Sequence, residues 1–313
     1  MNAKDWRAAS PFFVIAGTGY VKINVISSQK ERVENMDIRP SPIAGKWYNG
    51  NSKQLAAQID SLIQQAILPE IGQKPIGMIV PHAGHIYSGA VAAAGYAALK
   101  ATQPEVVVLL SPSHHYASHP LLVSGHAAYA TPLGNLEIDH AGVNALSGYL
   151  TQKSALSIQP VLRDQEHAIE IQLPFLQRIY THSYRFIPIM IVDQSPLTVR
   201  ALADGIAALF PVRNTLLIAS TDLSHFFTET EANRMDQKML KAMQAFSTTE
   251  MYRLEHSGDG AACGVGAAAA VLEVCKSWGA KNARLLDYAT SAAVTGDQSS
   301  VVGYGAILIT VNK

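Results

Sequence analysis

The apolar positions of this 313-residue chain follow two rhythms. Short solid runs over Ile76–Val80, Glu105–Leu110, Phe186–Val192, Thr215–Ser220, Ala283–Tyr288 and Val301–Val311 predict buried strands, with Leu121–Val123 a further short one. Between them, Ser52–Ala66, Gly89–Lys100, Gln165–Tyr180, Leu197–Leu209, Glu229–Gln244 and Val265–Ser277 read as helices. Pro174 is expected to bend or divide the helix over Gln165–Tyr180. Strands without polar alternation, separated by helices, predict an α/β fold: a single domain with a central, mostly parallel sheet flanked by helices on both faces.

Residues 1–35 stand outside this rhythm. The stretch PFFVIAGTGYVKINVI is apolar and β-like, yet it carries a lysine and two glycines and is too short to cross a bilayer as a helix. No basic region followed by a cleavage site marks a signal peptide. Residues 1–35 are therefore expected to be a loosely attached extension, with Met36 a plausible true start, ahead of a domain spanning 36–313.

At 48% hydrophobic and 15% charged, the chain can bury a substantial core. Its 24 basic and 24 acidic residues cancel, so bulk charge points to neither nucleic acid nor an anionic membrane. Cys263 and Cys275 are the only cysteines. Carried on one helix they would lie roughly 18 Å apart at 1.5 Å per residue, too far for a disulfide. That usage fits a reducing cytoplasm.

The polar residues change the picture most at the strand ends. GMIV runs into Pro81-His82-Ala83-Gly84-His85, VVVLL into Ser111-Pro112-Ser113-His114-His115, and LLIAS into Thr221-Asp222-Leu223-Ser224-His225. In open α/β sheets ligands bind beyond the carboxyl ends of the strands, so these turns should converge. A fourth piece, Ala262-Cys263-Gly264-Val265-Gly266, opens an Ala-rich helix, where the dipole would lower the Cys263 thiol pKa. Two imidazoles and one thiol leave an open position on a metal, and the mixed N/S set suits iron, copper or zinc. Glu166 and Glu170, in DQEHAIE, share a helix face if that segment is helical. They read either as orienting a ligating histidine or as acids at a helix start, and His167 between them stays unassigned. Cys275, His119, His126, His140, His182 and His256 have no motif around them.

The ordered series AGKWY (44–48), PHAGHIYSG (81–89), SPSHH (111–115), TPLGNLEID (131–139), DQEHAIEIQLPFL (164–176), STDLSH (220–225) and ACGVG (262–266) resembles the Memo-type family, whose bacterial and archaeal members are called AmmeMemoRadiSam system protein B. The resemblance runs from about Arg39 onward and implies a fold like the class III extradiol dioxygenases, which cleave catechol-like rings with non-haem iron(II). Residue by residue, it implies His82, His114 and Cys263 as metal ligands and Asp222 and His225 as further pocket residues. It implies iron(II) or copper ahead of zinc. The cysteine departs from the two-His-one-carboxylate triad of the dioxygenases. Ile43 stands where some members carry a histidine, which implies a pocket rim of different polarity.

Two functional readings follow. One is a metal-dependent oxidoreductase acting with dioxygen on a small molecule, with His225 or His115 moving protons. The other is a metal-binding partner or scaffold, engaging a peptide, a radical-SAM enzyme and an AMMECR-type protein. A zinc hydrolase would need a general-base carboxylate, for which Glu166 is the one candidate.

Overall fold

The computed structural model describes residues 37–312, so the expected extension over residues 1–35 lies outside the described residues. In chain order the elements are β1 (Ile38–Arg39), α1 (Ser52–Gln65), β2 (Lys74–Val80), α2 (His85–Leu99), β3 (Val106–Pro112), β4 (Leu121–Ser124), β5 (Ala128–Thr131), β6 (Gly134–Glu137), α3 (His140–Ser154) and β7 (Ile158–Val161). There follow a 3₁₀ turn (Glu170–Gln172), α4 (Leu173–Ile179), β8 (Arg185–Ile191), α5 (Pro196–Leu209), β9 (Thr215–Ser220), β10 (His225–Phe227), α6 (Glu229–Gln244), α7 (Thr248–Ser257), α8 (Val265–Ser277), β11 (Asn282–Thr290), α9 (Ala292–Thr295) and β12 (Val301–Val311).

The large sheet runs β10–β12–β2–β9–β3–β8–β4–β7, with β11 also on β12; β1, β5 and β6 form a small second sheet. Its centre is parallel: β2 with β9, β9 with β3, and β3 with β8. β12 joins β2 antiparallel, and β4 joins β8 antiparallel, so the sheet is mixed. β3 and β9 are buried along their whole length, which explains why they lack polar alternation.

Helices cover both faces, and two glycines show which helix covers which. A Cβ on Gly77 would press on Cys275 and Val271 of α8, whereas Gly95 of α2 abuts Met78 and Val80. Residues 77 and 78 point to opposite faces of β2, so α8 and α2 sandwich the sheet. α2 is apolar almost all round, as a helix buried in a core should be. The α/β expectation therefore holds, and the described chain from Ile38 onward is one compact unit.

The helix expected over Gln165–Tyr180 is shorter. Residues 164–169 form an irregular loop, and helix begins only with the 3₁₀ turn and α4. The reason is local competition. The Asp164 carboxylate takes the Glu166 N–H at 2.8 Å, and the Glu166 carboxylate takes the N–H groups of His167 and Ala168 at 2.8 and 3.0 Å. Pro174 does not bend a helix; it sits in the first turn of α4, where a missing N–H costs nothing. The pattern also missed α3, α7 and the β5–β6 hairpin.

The turn after β9 is stapled to β12. Leu223 N donates to Gly303 O, and Gly303 N donates to Ser224 O, each at 2.9 Å. From α6, the buried Asp236 accepts Ser224 N at 2.9 Å and the Tyr288 hydroxyl at 2.8 Å. Only a glycine lets Asp236 approach so closely, because a Cβ at position 303 would overlap its carboxylate. Gly303→Ala should therefore cost about 1–3 kcal/mol in urea denaturation. Gly148→Ala, on a stretch of α3 with open space around it, should be neutral or stabilising by about 0.5–1 kcal/mol.

Candidate metal centre

β2, β9 and β3 are neighbours and parallel, so their carboxyl ends open on one edge. Pro81-His82 follows β2, Thr221-Asp222 follows β9, and Ser113-His114 follows β3. The His82 and His114 rings stand edge to face with centroids 5.1 Å apart. A third ring joins them: His167 stacks on His114 at 4.6 Å and meets His82 edge-on at 5.3 Å. One ligand atom from each of His82, His114 and His167 lies within 4.8 Å of the others. Small ring rotations would bring such atoms to a shared ion at bonds of about 2.1 Å.

The hydrogen bonds fix which nitrogen each ring presents. Ser220 gives its hydroxyl hydrogen to Ala168 O at 2.7 Å and accepts from the Gln172 amide at 2.9 Å. Toward His82 Nδ1, at 3.2 Å, Ser220 can therefore only accept, so His82 carries its proton on Nδ1 and leaves Nε2 bare. His114 Nδ1 donates to Glu166 at 2.9 Å, and its own N–H donates to the other carboxylate oxygen at 2.5 Å. His114 therefore also presents Nε2. A carboxylate or hydroxyl behind an imidazole is the usual support of a metal-binding histidine.

Cys263 enters from the start of α8. Its Sγ lies 3.1 Å from His82 Nε2 and accepts the Asp222 N–H at 3.3 Å. Gly264 is required beside it: a Cβ there would come within 2.6 Å of Ser220 O. The expected dipole-lowered thiol is corrected here. Burial pushes the Cys263 pKa up, and the Asp222 charge pushes it further. Both outweigh a helix terminus that Cys263 precedes by two residues. The thiol proton is thus available to His82 Nε2.

Burial, opposed in part by the N–H groups of His82 and Ala83, raises Asp222 to about 6. Burial lowers His82 and His167 to about 3, so both stay neutral and ready to ligate. Burial works against His114 too, but the Glu166 hydrogen bond and charge raise its pKa above the ordinary value. Burial alone would raise Glu166; the bonds from His114 and Ala168 hold it well below the usual carboxylate range.

Glu166 is fully engaged, and this removes it as a free general base for a hydrolase. Behind it Arg39, 1% exposed, donates to Asp164 at 2.8 Å, to Glu170 at 2.5 Å and to the Glu166 carbonyl at 2.6 Å. Its guanidinium stacks over Tyr129 at 4.7 Å. Of the two readings of Glu166, the one in which it orients a histidine is the one this geometry supports. Glu170 faces Arg39, Ser41 and Tyr48 instead.

His82, His114, His167, Asp222 and His225 line one cleft of about 610 Å³, walled also by Trp47, Ile86, Tyr87, Phe226 and Tyr304. His225 Nδ1 donates to Leu223 O at 2.8 Å, which leaves its Nε2 for the cleft. His115 is exposed and is not among the lining residues, and Ile43 is buried in the core rather than on the rim. His85 is a structural histidine, its Nε2 set on Ile171 O at 3.0 Å. Cys275 is buried under β2. Sequence reasoning left His167 unassigned because its segment mimics a helix. Its position between Glu166 and the strand-end turns depends on folding at long range.

These features define an α/β protein with an imidazole-rich cleft at the carboxyl edge of a mixed sheet. The chain belongs to the Memo-like family, whose model matches residues 39–308. It is 32% identical to a MEMO1 family protein of Nitrosopumilus maritimus over 86% of this chain and 98% of that one. It is 34% identical to one of Methanopyrus kandleri, over 86% and 98%, and 34% identical to one of Thermotoga maritima, over 85% and 97%. An uncharacterized Escherichia coli K12 protein shares a looser likeness, with TM-score 0.43 and 11% identity over 74% of this chain and 99% of that chain, too distant to carry an argument. Among the described residues no helix is long and apolar enough to cross a membrane.

Glu166→Gln should keep the shape but lose the charge and turn one of the two acceptor oxygens facing His114 into a donor amide, and metal affinity should fall about 10–100-fold in a chelator competition. The metal-free protein should also lose stability in acid. His82 and His167 hold folded pKa values of about 3 against an ordinary 6.5. Between those values the unfolded chain binds protons that the folded one refuses, so stability falls as pH drops through that window. His114 and Asp222, both raised, act oppositely, while His85, lowered by burial to about 4, acts with His82 and His167. A melting temperature that is flat across the window would contradict the assignment.

Proposed function

We propose that this chain is a transition-metal protein in which His82, His114 and Cys263 hold the ion, while Asp222 and His225 act on a small ligand beside it. The observation that carries the reading is the meeting of two Nε2 atoms stripped of protons by their partners at Nδ1, with the Cys263 sulfur 3.1 Å from the first. The donor set suits iron, copper or zinc, and the family resemblance puts iron(II) or copper ahead of zinc. His167 is the competing third donor.

A bound metal would supply Lewis acidity and electron transfer. The chain's residues do the rest. Ser220 and Glu166 keep the two rings in one tautomer and orientation. The free Nε2 of His225 can take a proton from a ligand in the cleft. Trp47, Ile86, Tyr87 and Phe226 give the cleft an apolar, mostly aromatic side.

A second reading, a non-enzymatic partner of a radical-SAM enzyme and an AMMECR-type protein, draws support from the same side. Ile86 and Phe226 are 67% and 77% exposed, and a protein or peptide contact would cover them.

Metal analysis of the protein purified from its own host, followed by oxygen-uptake assays of the anaerobically iron-loaded protein with catechols, tests both. Metal should be present in stoichiometric amount. His82→Ala and Cys263→Ser should lose it while staying folded. His225→Ala should keep it and lose any turnover. Retention in Cys263→Ser with loss in His167→Ala would replace the thiol by the third imidazole. Metal bound without oxygen uptake would favour the partner role, and absence of metal would sink both readings.

A further inference from the structure

The loop between β8 and α5 has no part in the site as described so far, yet it ties two of the site's turns together. Ile191 O, at the end of β8, accepts the N–H of Ser113, the residue before His114, at 3.0 Å. Val192 and Asp193 both donate to Pro120 O, at 2.9 and 3.1 Å. Gln194 then reaches the cysteine. Its side-chain Nε2 donates to Cys263 O at 2.8 Å, and its Oε1 accepts Gly266 N–H at 2.8 Å. A carbonyl can only accept and a backbone N–H can only donate, so these partners fix which way the Gln194 amide points. The Gln194 carbonyl accepts the Tyr252 hydroxyl at 2.8 Å, which anchors residue 194 to α7 as well.

The sequence at the start of α8 calls for such a contact. Gly264 stands at the N-cap with no side chain to close the first turn. Gln194 supplies an acceptor from another part of the chain. Gly266 admits it: a Cβ at that position would come within 2.9 Å of the Gln194 Cβ. The other polar bonds of the segment lead elsewhere. Ala262 N–H donates to Glu255 of α7 at 2.9 Å, Cys263 N–H to Asp222 O at 3.2 Å and Gly264 N–H to Thr221 Oγ1 at 2.8 Å. The last two hold the cysteine to the turn after β9, on the side of His82. Gln194 holds it to β8, and through Ser113 to the turn that carries His114.

The cysteine depends on its backbone more than the two histidines do. His82 and His114 each have a partner at Nδ1 that sets the ring. The Cys263 side chain is short and lies in a segment outside both helix and strand, so its sulfur is placed only as well as residues 262–266 are held. Metal–sulfur bonds of about 2.3 Å leave little room for drift.

We propose that Gln194 is a positioning residue for the Cys263 sulfur, setting the separation between the cysteine turn and the His114 turn that a shared metal requires. This rests on reading Cys263 as a ligand. The probe is cobalt(II) bound to the full chain, whose thiolate charge-transfer band reports the sulfur and whose visible d–d bands report the ion as a whole. Gln194→Glu keeps an acceptor for Gly266 N–H and puts a negative charge at a helix N-terminus, so the melting temperature should hold. It loses the donor to Cys263 O, so cobalt affinity should fall about 10–100-fold, and the sulfur band should weaken relative to the d–d bands. Gly266→Ala, which leaves the amide intact but pushes residue 194 aside, should weaken the same band. Cys263→Ser marks its complete loss. A sulfur band and affinity equal to wild type in both variants would overturn the role of Gln194 and leave Cys263 a ligand. A fall in melting temperature with the band unmoved would make Gln194 a helix cap alone and overturn it too. A wild type that binds cobalt without a sulfur band would remove Cys263 from the ligand set, and the reading on which this inference rests would fall first.

Discussion

The site hangs on the guanidinium of Arg39. Its fork is shared among Asp164, Glu170 and the Glu166 carbonyl, and none of these groups is near water. Burying such charges is expensive, and an apolar cluster of the same volume could be as stable. What the arrangement contributes is geometry. It draws residues 164–170 against β1 and lifts the Glu166 carboxylate under His114. Removing the guanidinium would leave two carboxylates buried without their cation, so the loop has little choice of conformation.

The same cluster explains why His114 can be one-third exposed and still oriented. Its side chain is 34% accessible, but two of its N–H groups end on one buried carboxylate. His82 is held by the opposite means, sunk at the end of a central strand and backed by a hydroxyl whose own hydrogen is committed elsewhere. One imidazole is positioned by a charge and the other by enclosure. An ion between them would meet two ligands of different basicity.

Much of this was legible in the sequence. Three apolar runs ending in His82, His114 and Asp222–His225 announced parallel strands and a shared edge, because a buried strand must end where polar residues begin. What was hidden was decided by groups far apart in the chain. The spacing of Gln165–Tyr180 is helical, but Arg39 and the Asp164 and Glu166 carboxylates satisfy that backbone in another way, and this brings His167 into the site. The Cys263 thiol was judged by its helix terminus, whereas burial and Asp222 govern it. The helix α3 went unseen because only Gly142, Val143, Leu146 and Leu150 of its 15 residues are buried, too sparse a stripe to stand out.

The antiparallel seat of β12 beside β2 carries a consequence for synthesis. Ile307 pairs with Ile79, so the edge of β2 that leads to His82 stays open until almost all of the described chain has been made. Contacts so distant in sequence are slow to form. A nascent chain would hold β2, β9 and β3 with their imidazoles in place while the turn bearing His225 still lacked the strand that clamps it. The emergence of β12 both closes an aggregation-prone edge and completes the cleft wall.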